Sequence, residues 1–178
     1  MESDIIKRAI SGDPEALTFL IDKYKNVAYN LALSIVRNQE DAKDITQDSF
    51  LKVLENIGRF RNESKFSTWL YRIVYNQSVV FSQCVNRVQK VDYALVIADP
   101  ENNENPETNE DQEVRIKELY DAIHLLNDSD RHIIMLFYLA EKSVKEISQI
   151  TGFSVANIKV ILHRARKKLY EIMKDGNK

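Results

Sequence analysis

Ser143-Val144-Lys145-Glu146-Ile147-Ser148-Gln149-Ile150-Thr151-Gly152, continuing through Ser154 to Leu162-His163-Arg164-Ala165-Arg166-Lys167-Lys168-Leu169, is the stretch that decides the fold. Ser143 and Glu146 have the spacing of a capping box, in which the serine covers an orphan amide and the glutamate reaches back to the cap. The short helix they open is expected to stop at Gly152, which adopts the left-handed conformation of a helix end at little cost. Ser154 then caps a longer helix running to about Met173. A short helix, a tight turn containing glycine and a second helix form the helix-turn-helix signature.

Projected at about 100° per residue, the second helix puts Val155, Ile158, Leu162, Ala165, Leu169 and Ile172 on one inward stripe. The opposite face carries Ala156, Asn157, Val160, His163, Arg164 and Lys167, flanked by Lys159, Arg166 and Lys168. Five bases and no acid lie between Ile147 and Tyr170. That suits a helix beside phosphates, where each neutralised contact releases counterions. A basic helix end also complements the helix dipole, so the charge alone does not decide, and the Gly152 turn tips the balance toward DNA. Val160 has no purpose in water at the centre of an outward face, whereas contact with a thymine methyl would give it one.

The net charge of −2 over 178 residues hides this signal. Residues 1–90 carry 13 bases and 11 acids, and residues 113–178 carry 12 and 9. Between them, residues 91–112 hold seven acids and no base, together with Pro100 and Pro106. Nothing there could offset the entropy of ordering, so a flexible, self-repelling acidic linker is expected. The fold class is therefore all-α, with two small helical domains joined by that linker, the second a helix-turn-helix (winged-helix-like) domain.

In the first domain, Asp13 and Pro14 open a helix on which Leu17, Leu20, Ile21, Tyr24, Ala28, Leu31 and Ile35 recur at helical steps. A second helix runs from near Asn38 to a stop at Gly58, and a third from about Lys65 to Val88. Four glycines and three prolines are too few for a turn-rich sandwich, and no apolar run approaches the roughly 20 residues of a membrane span. The N-terminus lacks the apolar core of a signal peptide, so a cytoplasmic protein is expected. The single cysteine, Cys84, excludes an internal disulfide framework, and with three scattered histidines leaves no pattern for a metal or other cofactor.

Two further clusters stand out. Arg59-Phe60-Arg61-Asn62 and Lys65 interleave bases with aromatic rings, a composition suited to single-stranded nucleic acid. Phe66, Trp69 and Ile73 fit core positions at helical spacing, whereas Arg59, Phe60, Arg61 and Asn62 fall in the loop and are expected to be freer to touch a ligand. Asp41, Asp44 and Asp48 share a helix face with Gln47 beside them. No histidine, cysteine or nucleophile accompanies these carboxylates, which leaves a solvated acidic face or a dock for a basic partner.

Residues 38–50 (Asn38-Gln39-Glu40-Asp41-Ala42-Lys43-Asp44-Ile45-Thr46-Gln47-Asp48-Ser49-Phe50), then Phe66-Ser67-Thr68-Trp69-Leu70-Tyr71-Arg72-Ile73 with Asn76, then the helix-turn-helix, resemble in order and spacing the extracytoplasmic-function (ECF) sigma factors of bacterial RNA polymerase. The resemblance covers nearly the whole chain outside the linker. It implies a non-enzymatic subunit that binds core polymerase, through its β and β′ subunits, and directs promoter-specific initiation. It places Asp41, Asp44, Gln47, Asp48, Phe50 and Leu51 on the polymerase; Arg59, Phe60, Arg61, Asn62, Lys65, Trp69 and Asn76 on the melted −10 element; and Ser154, Asn157, Lys159, Val160, His163, Arg164 and Lys167 on the duplex −35 element. It divides the chain into 1–90 (region 2), 91–112 (linker, directed toward the RNA path) and 113–178 (region 4). Members of this class are often held by an anti-sigma protein. The sequence departs from the family at Val80 and Gln83, where acidic or amide and basic residues are common, and at Val160 and Ile161, where Ser and Arg are frequent. A stand-alone helix-turn-helix regulator is the alternative, although it would need neither the Asp41 face nor the Arg59–Trp69 segment.

Overall fold

A computed structural model describes residues 2–88, 118, 119 and 121–176. Among these residues the regular structure is helical, with no strand. Helix α1 spans Glu2–Ile10, α2 Pro14–Val36, α3 Gln39–Asn56 and α4 Phe66–Val88. Residues 121–124 form a helical turn, followed by α5 at Asp128–Ile134, a π-helical turn at Met135–Leu139, α6 at Val144–Thr151 and α7 at Val155–Gly176. The acidic segment 91–112 lies outside the described residues.

The helix starts follow capping chemistry. Asp13 accepts from the amides of Glu15 and Ala16 with Pro14 at the first helical position. Asn38 caps α3 through the amides of Glu40 and Asp41. At α6, Ser143 and Glu146 make the reciprocal capping box, and Gly152 ends the helix at φ 77°. Ser154 Oγ accepts from the Asn157 amide at 3.2 Å to open α7.

Helix α1 falls where no helix was expected, because nine residues followed by Ser11-Gly12 carry too short a period to register. Helix α3 ends beside Gly58 as expected, and Gly58 itself sits inside a 3₁₀ turn, Ile57–Arg59. The amphipathic segment from Ser129 to Ala140 is not one α-helix: it widens into a π turn after Ile134.

Helices α2, α3 and α4 pack on one another around Leu20, Tyr24, Ala28, Leu31, Ile45, Val53, Leu70 and Val74. Helices α5, α6 and α7 enclose Ile133, Leu136, Ile147, Ile150, Ile158, Leu162 and Ala165. The two groups also pack against each other, α4 against α6 and α2 against α5 and the π turn. A set of polar contacts seals this seam. Arg131, wholly buried, donates through Nε to the Ser34 carbonyl at 2.7 Å. Arg37 pairs with Asp128 at 2.9 Å. Lys142 donates to Ser67 Oγ at 2.5 Å and lies over the Tyr71 ring.

His132 lies in the same seam, edge-on to Tyr75, with its Nε2 buried and unpartnered. Burial and the neighbouring Arg131 charge push its pKa down from 6.5 to about 4. An unfolded chain therefore takes up a proton that the folded chain refuses, so this contribution to stability is full above pH 6.5 and is lost as pH falls toward 4. Between pH 7.5 and pH 5 the loss is expected to be about 2 kcal/mol, and His132→Phe should remove most of it. Urea titrations of both proteins at the two pH values measure the difference.

Candidate nucleic-acid interface

Helix α7 presents the basic face expected of it. Ile158, Ile161, Leu162 and Ala165 point inward, while Asn157, Lys159, Val160, His163, Lys167 and Lys168 are exposed. Val160 is 62% accessible, an isolated apolar side chain at the centre of a polar surface. Val155, placed on the inward stripe by projection, is exposed, and Ile161 takes the inward place. Lys167 is loosely paired with Glu171 one turn on, at 3.9 Å. The Ser154 hydroxyl is engaged in the cap.

Arg164 has a different setting from its neighbours. Its Nε donates to both oxygens of Asp130, at 3.2 and 3.1 Å, and Nη2 closes a further bond to Oδ1. Asp130 is fully buried and also accepts from Asn127 Nδ2 at 2.9 Å. The guanidinium thus neutralises a buried carboxylate and ties α7 to the start of α5. The pair raises the proton affinity of Arg164, first through the hydrogen bond and then through the charge of Asp130. Arg166 turns the other way, stacking on the Phe137 and Tyr138 rings and donating to the Tyr138 hydroxyl at 2.8 Å.

On α3, Asp44, Gln47, Asp48 and Leu51 form an exposed strip, with Leu51 55% accessible. Asp41 at its N-terminal end is half-buried. Its pKa is raised, first by burial and then by the charges of Asp44 and Glu40. Phe50 corrects the sequence expectation: it is only 7% accessible and belongs to the core, so its ring holds α3 in place and does not form part of the strip. Gln77 of α4 supports the far side of α3, donating to Ser49 and accepting from Lys52.

The loop from Arg59 to Lys65 is also only partly as expected. Arg59, Arg61, Asn62 and Lys65 are exposed, and Asn62 takes a left-handed φ of 56°. Phe60, expected to be free, is 9% accessible and packs against Phe66 and Trp69 with ring centroids 5.8 and 5.2 Å away. A loop aromatic follows the nearest apolar surface, and here Phe66 and Trp69 offer one. The three rings make a small aromatic floor beneath the basic loop, with Trp69 half-exposed at its edge. Asn76 is exposed two turns farther along α4.

A family model for sigma-70 region 2 matches residues 20–80. A second, for sigma-70 region 4, matches residues 116–169. The chain belongs to the sigma-70 family. Among its relatives are the ECF RNA polymerase sigma factor SigW of Bacillus subtilis, 29% identical over 96% of this chain and 95% of that protein, and the ECF RNA polymerase sigma-E factor of Haemophilus influenzae, 29% identical over 92% and 90%. The fold is shared with RpoE of Bartonella quintana, solved with the anti-sigma factor NepR (TM-score 0.71, 20% identity, 88% of this chain and 96% of that one). It is also shared with CnrH, solved with the cytosolic domain of CnrY (TM-score 0.68, 20% identity, 96% of each chain). This sigma-family chain thus combines the exposed α3 strip and the basic loop in its region 2 match with the basic α7 face in its region 4 match. Among the described residues no helix is long and apolar enough to cross a membrane, and no cluster of acidic, histidine or cysteine side chains could hold a metal.

Sequence reasoning missed Ser67, Thr68 and Lys142, whose polar groups are buried where the two halves meet. No local signal could have found them, because their partners lie 75 or more positions away. Arg164 carries the test of this geometry. Arg164→Ala leaves the Asp130 carboxylate buried without its counter-charge, so the urea midpoint should fall, whereas Lys159→Ala, one turn earlier on the exposed face, should leave it unchanged.

Proposed function

We propose that this chain binds core RNA polymerase and directs it to a two-element promoter. The observation that carries this reading is the presence, in order on one chain, of the region 2 match over 20–80 and the region 4 match over 116–169. A stand-alone regulator has use for the second alone. The geometry supplies a surface for each task, and binding energy performs the work without bond chemistry.

In this proposal the strip of Asp44, Gln47, Asp48 and Leu51, with Asp41 at its end, docks on a basic partner surface of the polymerase. The exposed leucine supplies apolar contact and the carboxylates supply orientation. The loop bases Arg59, Arg61 and Lys65 follow the backbone of the melted −10 strand, Asn62 and Asn76 offer amides to its bases, and the edge of Trp69 provides a ring for stacking. Phe60 supports this loop from beneath. On α7, Asn157, Val160 and His163 face the major groove of the −35 element, with Lys159 and Lys167 on the phosphates. Arg164 contributes chiefly by fixing the angle of α7. An anti-sigma protein is a further partner in this reading, supported by the complexes in which the structural neighbours were solved.

Run-off transcription with core polymerase and genomic promoter fragments tests the proposal. The chain is expected to raise initiation from at least one promoter that core alone ignores, and no gain on any fragment would refute it. Asp48→Lys combined with Leu51→Ala should abolish polymerase association while leaving the fold intact. Lys159→Ala should weaken binding to −35 duplexes of all sequences and reduce the salt slope by about one unit.

A further inference from the structure

The outward face of α7 is polar and basic except along one line. Val160, the sixth residue of the helix, is 62% accessible, and Ala156, one turn earlier, is exposed beside it. Around them stand Asn157, Lys159, His163 and Lys167, all exposed. From Ile147 to Tyr170 the sequence holds no acid, so the surroundings of the pair favour a phosphate-bearing partner over a basic protein. A single exposed valine on a protein surface is ordinary and asks for no explanation. Two apolar side chains at i and i+4, at the centre of a face that otherwise carries hydrogen-bonding and charged groups, pose a narrower question: what they touch when that face is covered.

The long basic side chains nearest to them are held elsewhere. Arg164, one turn on from Val160, directs its Nε and Nη2 to the buried carboxylate of Asp130. Arg166 stacks on Phe137 and Tyr138. Neither arginine of α7 therefore folds over the valine, and neither is free to grip a guanine through O6 and N7, the commonest specific contact of a recognition helix. What remains at the centre of the face for reading base edges is apolar. Every base pair lines the floor of the major groove with donors and acceptors, but its apolar group is the 5-methyl of thymine. A valine pressed against any other edge would strip water from polar atoms without replacing their hydrogen bonds. A hydroxyl or an amide at position 160 could satisfy several base edges, whereas an isopropyl group matches this one. Val160 and Ala156 also lie in the first two turns of α7, the part of a recognition helix that approaches the bases.

We propose that Val160 is a specificity-determining residue of the −35 contact: its isopropyl group packs on the 5-methyl group of a thymine in the major groove, with Ala156 extending the same apolar contact by one turn. The proposal rests on the sigma-factor reading above and adds to it which base the helix selects and by what chemistry. Lys159 and Lys167 fix the register of the helix on the phosphates without reading sequence, and Val160 discriminates between bases. Selection by a methyl group is a matter of shape and burial, so it persists at salt concentrations that weaken the phosphate contacts.

Deoxyuridine tests the contact, since in the major groove it differs from thymidine by the missing methyl group alone. The full chain is combined with core polymerase on a promoter fragment that it activates, and each thymine of the −35 segment, on either strand, is replaced in turn by deoxyuridine. The holoenzyme concentration giving half-maximal run-off is measured for each fragment. At one thymine the replacement should raise that concentration about fourfold, the effect of leaving one methyl group without its apolar partner. With Val160→Ala the thymine and deoxyuridine fragments at that position should respond alike, both near the level of the unsubstituted chain on deoxyuridine. Val160 is exposed, so the variant keeps its fold. A purely structural role would weaken both fragments together and leave the fourfold ratio in place, and that result would overturn the proposal. Equal response of the unsubstituted chain to every replacement, or a −35 segment with no A·T pair, would overturn it as well. If the unsubstituted chain activates no fragment at all, the sigma-factor reading falls, and the thymine contact with it.

Discussion

The placement of one half of the molecule on the other turns on the buried guanidinium of Arg131. It reaches the Ser34 carbonyl across the seam, the His124 and Leu126 carbonyls at 3.3 and 3.0 Å, and Asp128 at 2.5 Å. Burial and the nearby Arg37 lower its proton affinity, and Asp128 is the acid that opposes them. An arginine keeps its charge under these conditions, so the surrounding carbonyls must meet it with their dipoles. Breaking such a set strands an uncompensated charge, which costs far more than the net worth of any single bond in it. The same side chain therefore closes the helical turn at 121–124, fixes the start of α5 and aligns both with the end of α2.

Much of this architecture was readable in the sequence, for local reasons. Caps at Asp13, Asn38, Ser143 and Ser154, the left-handed stop at Gly152, and helical periods of 18 residues or more in α2, α3, α4 and α7 all act over a few positions. What escaped was non-local. Helix α1 is too short to show a period, and the π turn at Met135–Leu139 has no residue pattern to announce it. Phe50 and Phe60 were assigned to partners on the strength of position in a motif, yet each ring had a nearer apolar surface to join.

The candidate site divides along the same line. Angular projection put Lys159, Val160, His163 and Lys167 on the outside of α7, where they are. The same projection put Arg164 outside without revealing that Asp130, 34 positions earlier, waits beneath it as a buried acid. Asp44, Asp48 and Leu51 were legible as a strip, but a strip of acids is chemically mute. Only the order of motifs along the chain connected it to a polymerase, since nothing in carboxylate spacing distinguishes a docking face from a solvated one.

Glu146 illustrates how one side chain can tie local and global order together. It accepts from the Ser143 amide and hydroxyl at 2.9 and 2.7 Å, and it also faces Lys65 and Thr68 of the other half. Partial burial opposes its charge, but the bonds from Ser143 and Lys65 prevail and hold its pKa down at about 2. The consequence is an unequal tolerance of substitution. Exchanging Lys65 removes one surface pair, whereas exchanging Glu146 removes that pair and also leaves α6 without its capping box.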